Sequence, residues 1–148
     1  DPYKECVCTE TMVKNYQQRL SGPIMDRIDL HIPVERPTLE QLLDTSSSNM
    51  TSESMRQQVN MATAMQQKRF KGLDFNSNGA VPHKAISELC NITDKAWSVL
   101  GNIFDHFYLS GRAFDRILKV ARTIADLEEN PKVEPHHISE AMLFRTGK

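Results

Sequence analysis

The pattern of apolar residues predicts a mainly α protein, with a helical bundle over residues 52–148, a linker at 37–51 and a short helix–strand segment at 1–36. Three observations carry this. Leu109 to Leu127 (LSGRAFDRILKVARTIADL) places Phe114, Ile117, Leu118, Ala121, Ile124 and Ala125 at three- and four-residue steps, which make one broad stripe on a helical wheel. Just before it, Ala96, Trp97, Leu100, Ile103, Phe104 and Phe107 form a second, richer stripe. Thr45-Ser46-Ser47-Ser48-Asn49 has the composition of a linker and separates the two parts.

In chain order, Thr11 to Leu20 reads as an amphipathic helix with Met12, Val13, Tyr16 and Leu20 on one side, broken by Ser21-Gly22-Pro23. Pro23 starts another turn of helix reaching Arg27. Ile28-Asp29-Leu30-His31-Ile32 alternates with period two and predicts a strand ending at Pro33. A single strand cannot stand alone in water, so its sheet partners would lie elsewhere, and residues 1–35 are expected to be disordered or packed in a makeshift way. A helical turn, TLEQLLD, precedes the serine-rich run.

Ser52 is expected to cap a helix running to about Phe70, buried on one side only, because its stripe of Met55, Val59 and Ala62 is thin. Gly72 to Pro82 reads as a loop without a regular element. A short helix from Pro82 to Cys90 ends at Asn91. Thr93 caps the Trp97 helix and Ser110 caps the next. Only Tyr108 and Leu109 separate these two, so they are expected to cross or pack antiparallel and form the core. Asn130-Pro131 stops the second. Pro135 starts the last helix, with Ile138, Ala141, Met142 and Phe144 facing inward.

With 39% hydrophobic and 25% charged residues, the chain has a globular composition, and no apolar run approaches the roughly 18 residues of a membrane span. A net charge of -1 excludes a chain-wide electrostatic grip on nucleic acid and leaves only local patches for it. There is no signal-peptide pattern, and three cysteines without framework spacing suit a reducing cytoplasm. The opening residue is Asp1, and the chain is expected to be a piece of a longer protein. Cys6 and Cys8 could form half of a zinc site only if further cysteines lay upstream, so no metal site is assigned within this chain.

The candidate site residues lie on the Ser110 helix. Arg112, Arg116, Lys119 and Arg122 fall within about 120° of one another, opposite the apolar stripe. A cation in the first turn opposes the helix dipole by about 0.3–1 kcal/mol, a cost that a phosphate bound there would offset. Two readings stay open for this basic face: a solvated surface, or an anion site. His136 and His137 are read as first-turn surface residues, because neighbours on a helix point about 100° apart and do not readily share a ligand. Asp105 and His106 have no catalytic partner in the sequence, no nucleophile constellation is present, and no G-x-x-x-x-G-K-[ST] phosphate loop occurs. Alone, the chain is expected not to hydrolyse nucleotide.

Tyr16-Gln-Gln-Arg-Leu-Ser-Gly-Pro-Ile-Met-Asp-Arg-Ile-Asp-Leu-His-Ile, the Leu109 to Leu127 motif and His137-Ile-Ser-Glu-Ala-Met together resemble the carboxy-terminal third of the ComM-like branch of the magnesium chelatase AAA+ ATPase family. The resemblance implies a helical lid preceded by the end of an α/β core. It also implies a ring, taken as a hexamer, that uses ATP and Mg2+ in the full-length protein, neither expected to be bound by this chain alone, with DNA as a candidate partner and no membrane. Arg27 matches the arginine finger of an L-L-D-R-[IF] motif, which reaches the next subunit's ATP. Arg112 matches the sensor-2 arginine, which contacts the γ-phosphate from the lid. Gly111 stands where the family often has alanine, Asp115 where it has histidine and Thr63 where it has arginine. The ComM-like branch implies a motor for DNA recombination; the other branch, metal insertion into a porphyrin. A free-standing helical interaction module is a third reading.

Overall fold

The computed structural model describes residues 5, 7–19, 22–43 and 50–145. Cys6, Leu20, Ser21 and the Thr45-to-Asn49 linker lie outside the described residues, and with Cys6 goes one half of the zinc reading. The helices are α1 (Glu10–Gln17), α2 (Gly22–Met25), α3 (Leu39–Leu43), α4 (Ser52–Arg69), α5 (His83–Leu89), α6 (Asp94–His106), α7 (Gly111–Leu127) and α8 (Pro135–Leu143).

Hydroxyl caps set the starts. Thr9, Thr51, Thr93 and Ser110 each accept from the backbone N–H three residues on, at 3.3, 3.1, 3.3 and 3.2 Å. Thr51, rather than Ser52, thus caps α4. The ends of α6 and α7 turn through left-handed residues, Tyr108 (φ 48°) and Glu129 (φ 56°). In both, the next N–H reaches back past the turn: Leu109 to the Phe104 carbonyl at 3.2 Å, and Asn130 to the Ala125 carbonyl at 2.7 Å. Asn91, also left-handed, ends α5 as its short polar side chain allows.

The core is built around α7. Ile117, Leu118, Ala121 and Ala125 are fully buried, together with Ala96 and Leu100 of α6 and Ile138 and Ala141 of α8. α7 packs on α8 and on α4, and α6 also packs on α8. The expected α6–α7 pair meets through aromatic rings, Trp97 stacking on Phe114 at 6.2 Å and Phe104 meeting it edge-on at 5.8 Å. α8 is therefore a full third member of a core that the sequence assigned mainly to α6 and α7. α4 buries Ala62 and leaves Met55 and Val59 exposed, the one-sided packing its thin stripe predicts.

Two expectations fail. Among the described residues there is no strand: Ile28 to Ile32 is irregular, since no neighbouring strand offers a ladder of hydrogen bonds. Residues 26–31 instead lie against the bundle. The His31 N–H donates to the Phe144 carbonyl at 2.7 Å, Arg145 Nη1 to the Ile28 carbonyl at 2.8 Å, and Arg145 Nη2 reaches Asp26 Oδ1 at 3.3 Å. The loop before α5 also contains a regular element, a 3-10 turn at Asn78–Ala80. The only β pairing among the described residues is a bridge between Ile92 and Val133, which joins the α5–α6 corner to the α7–α8 loop.

Candidate functional site

The basic face of α7 divides along its length. Arg122, expected in solvent, is 1% exposed. Its Nη1 donates to the carbonyls of Cys90 (3.2 Å) and Pro131 (3.1 Å), its Nη2 donates to the Asn130 carbonyl, and Asp126 Oδ1 lies 3.1 Å away. Asp126 is itself fully buried and accepts from both terminal nitrogens of Arg69, and from Asn78 Nδ2 at 2.9 Å. Asn78 in turn binds Thr123 Oγ1 through Nδ2 (3.0 Å), and its backbone N–H donates to Gln66 Oε1 (2.9 Å). Burial lowers the Arg122 pKa and Asp126 opposes that shift. Beside this network, burial pushes the Cys90 thiol up to about 11 against the pull of Arg122 and Arg69, which keeps it protonated and unreactive.

These charges join α4, the 3-10 turn, α7 and the α7–α8 loop; they are structural. Sequence reasoning missed Arg69, Asn78 and Asp126. One signal was available: Leu118, Arg122 and Asp126 form an i, i+4 column at the edge of the apolar stripe, with opposite charges one turn apart.

The N-terminal half of α7 differs. Arg112, Arg116, Lys119, Val120 and Thr123 line a cleft of about 760 Å³ whose opposite wall includes Arg27, Asp29 and Leu30. A smaller recess of about 510 Å³, lined by Asp26, His83, Ser110, Gly111, Arg112 and Asp115, adjoins the helix start. Arg112 and Asp115 line both. Arg116 pairs with Asp29, and Lys119 Nζ donates to the Gly79 carbonyl at 2.9 Å. Arg112 is exposed and has no hydrogen-bond or ion-pair partner among the described residues. Thus Arg27 and Arg112, far apart in the chain, share one cleft. The cleft also carries the carboxylates of Asp29, Asp115 and Glu140, and the guanidinium groups of Arg27 and Arg112 are the donors in it that suit an anion such as a nucleotide's phosphates, the group implied by the resemblance.

His136 and His137 do share a partner, against expectation. Glu128 Oε2 lies 3.0 Å from His136 Nε2 and 2.9 Å from His137 Nε2, and the rings are 3.9 Å apart. His137 is buried rather than on the surface, because its ring caps α8: Nδ1 accepts the Glu134 N–H at 2.8 Å. That bond places the ring proton on Nε2, facing Glu128. A metal on Nε2 would need the proton moved to Nδ1, against an N–H donor. The trio is a cap and a hydrogen-bonded clasp.

The family model described as magnesium chelatase, subunit ChlI, matches residues 1–42, and the one described as magnesium chelatase, subunit ChlI C-terminal, matches residues 49–145. The chain belongs to the magnesium chelatase ChlI family. Among relatives of this family, YifB of Salmonella typhimurium is 34% identical over 140 residues, covering 93% of this chain and 26% of the relative. The competence protein ComM of Haemophilus influenzae is 35% identical over 133 residues, 90% of this chain and 25% of ComM. YifB of Escherichia coli is 33% identical over 138 residues, 93% and 26% respectively. The chain thus spans about a quarter of the length of the curated relatives it matches. The helical bundle is the ChlI C-terminal domain, and among the described residues no helix is long and apolar enough to cross a membrane.

Proposed function

We propose that this chain is the lid of a ring-forming AAA+ ATPase, and that its cleft presents Arg27 and Arg112 to the phosphates of ATP. Residues 1–36 supply the end of the nucleotide-binding core, 37–51 the linker and 52–148 the lid. The observation that carries the reading is the shared cleft, in which Arg112 has no partner among the described residues while the other cations of the α7 face are engaged.

ATP with Mg2+ supplies the phosphoanhydride bond whose cleavage drives the motor; the residues of this chain bind and orient. Arg112, anchored at the start of a buried 17-residue helix, converts contact with the γ-phosphate into lid position. Arg27, on the arm formed by residues 26–31, brings a second guanidinium to charge that develops on the γ-phosphate. Because both line one cleft, we assign them to the same nucleotide from the same chain. Mixed rings of Arg27→Ala and Arg112→Ala subunits should then fail to recover hydrolysis, since every site lacks one arginine. Recovery would show that the two act from opposite sides of the site.

For the work done by the motor, similarity to the competence protein ComM over 90% of the chain favours the ComM-like branch, whose implied work is DNA remodelling during recombination; three cysteines without framework spacing suit the cytoplasm. The ChlI models support a second reading, the ATPase subunit of a magnesium chelatase. The deciding experiment measures ATP hydrolysis by the longer protein. Stimulation by branched or single-stranded DNA supports the first reading; dependence on a chelatase partner subunit and a porphyrin supports the second. Absence of a phosphate loop upstream would overturn both and leave a helical interaction module.

A further inference from the structure

The recess at the start of α7 holds a second pair of groups besides Arg112, and the role assigned to them rests on the nucleotide reading of the adjoining cleft. Each carboxylate there is already satisfied. Asp26 Oδ2 accepts from Ser110 Oγ at 3.0 Å and its Oδ1 lies 3.3 Å from Arg145 Nη2. Asp115 Oδ1 lies 2.7 Å from His83 Nδ1. His83 is the first residue of α5 and 72% of its side chain is exposed, whereas Asp115 is 22% exposed and sits one turn beyond Arg112 on α7. The carboxylate is therefore the fixed partner and the imidazole the outward one. An imidazole that donates through Nδ1 to a carboxylate keeps a proton there and leaves Nε2 to meet a ligand. In the neutral ring Nε2 is a lone pair, which repels a phosphate oxygen; in the protonated ring it is a charged donor.

We propose that His83, oriented by Asp115, is a second phosphate-binding residue of the lid, flanking Arg112 and engaged only when its ring is protonated. The charged groups lining the recess with His83 are Asp115 and Arg112 from α7 and Asp26 from the arm, with Lys84 next to it on α5. A polyphosphate adds several negative charges beside the ring, so binding takes up a proton.

The test is calorimetric titration of the longer protein with inorganic tripolyphosphate at about pH 6 and about pH 8, on either side of the ordinary histidine pKa. Comparing variant with wild type at one pH cancels the probe's own titration. Arg112→Ala should weaken binding at both pH values. His83→Gln should weaken it about five- to tenfold at the lower pH and less than about twofold at the higher, the size expected of one charge-assisted hydrogen bond at an open site. Asp115→Asn should match His83→Gln. If His83→Gln binds like wild type at the lower pH while Arg112→Ala does not, the histidine assignment is overturned and the nucleotide reading stands. An equal loss at both pH values overturns the protonation requirement. Binding that is absent in wild type, or indifferent to Arg112, overturns the nucleotide reading and this one with it.

Discussion

The two ends of α7 carry the same kinds of residue and use them in opposite ways. Near its C-terminus, Arg122 and Asp126 are buried, joined to each other and to Arg69 and Asn78, and closed to any ligand. Near its N-terminus, Arg112 stands exposed between two recesses, with Ser110 and Asp115 beside it. What separates them is the cover above each. α4 and the 3-10 turn lie over one end, whereas the cleft opens over the other, with the arm as its far wall. A charged helix face thus has no single meaning, and each residue on it has to be read from what packs above it.

That contrast can be broken from its buried end. Asp126→Ala leaves Arg69 and Arg122 without their carboxylate, and removing one partner of a buried ion pair costs about 3–5 kcal/mol. Urea denaturation should show a loss of that size and a shift of the midpoint without a change of slope. A loss below about 1 kcal/mol would mean that the network is dispensable and the distinction between the two ends false.

A smaller effect is expected at the open end. Ser110→Ala removes the cap on the Ala113 N–H and the contact to Asp26, with a cost of about 1 kcal/mol in the same measurement. The smallest effect lies beyond α7, at the clasp that closes α8. Hydrogen bonds from His136 and then His137 hold the Glu128 carboxyl below its ordinary pKa. A depressed carboxylate stabilises the fold above its unfolded pKa of about 4.3, and that contribution disappears as the pH falls through the folded value. Glu128→Gln should therefore flatten the acid limb of stability against pH and leave the neutral region nearly level. An unchanged acid limb would show that the clasp contributes nothing.

Legibility in the sequence tracked the range of the forces involved. The Ser110 and Thr93 caps and the apolar face of α7 were legible because each depends on residues within one or two turns. The exit through Asn91 was legible for the same reason. The burial of Asp126 was not, because its partner Arg69 lies 57 residues away and only folding brings them together. His137 was misread because helical geometry predicts where its Cβ points, while its ring turns back to cap its own helix. The period-two run at Ile28 to Ile32 has the pattern of a strand without a sheet to join. At the candidate site, the Ser110 cap placed Arg112 in the first turn and family resemblance singled out Arg27 and Arg112, while the charge pattern alone did not separate Arg122 from Arg116 and Lys119. Asp115 was noticed only as a departure from the family, and its pairing with His83 required the structure.

If the open end of α7 is a binding site, Arg112 serves a ligand and not the fold. The decisive experiment is Arg112→Ala in the longer protein, with ATP hydrolysis and the unfolding midpoint measured on the same preparation. Hydrolysis should be lost while stability stays within about 0.5 kcal/mol, as for a surface residue outside any structural network. Near-normal turnover, or lost turnover accompanied by a large loss of stability, would contradict that role.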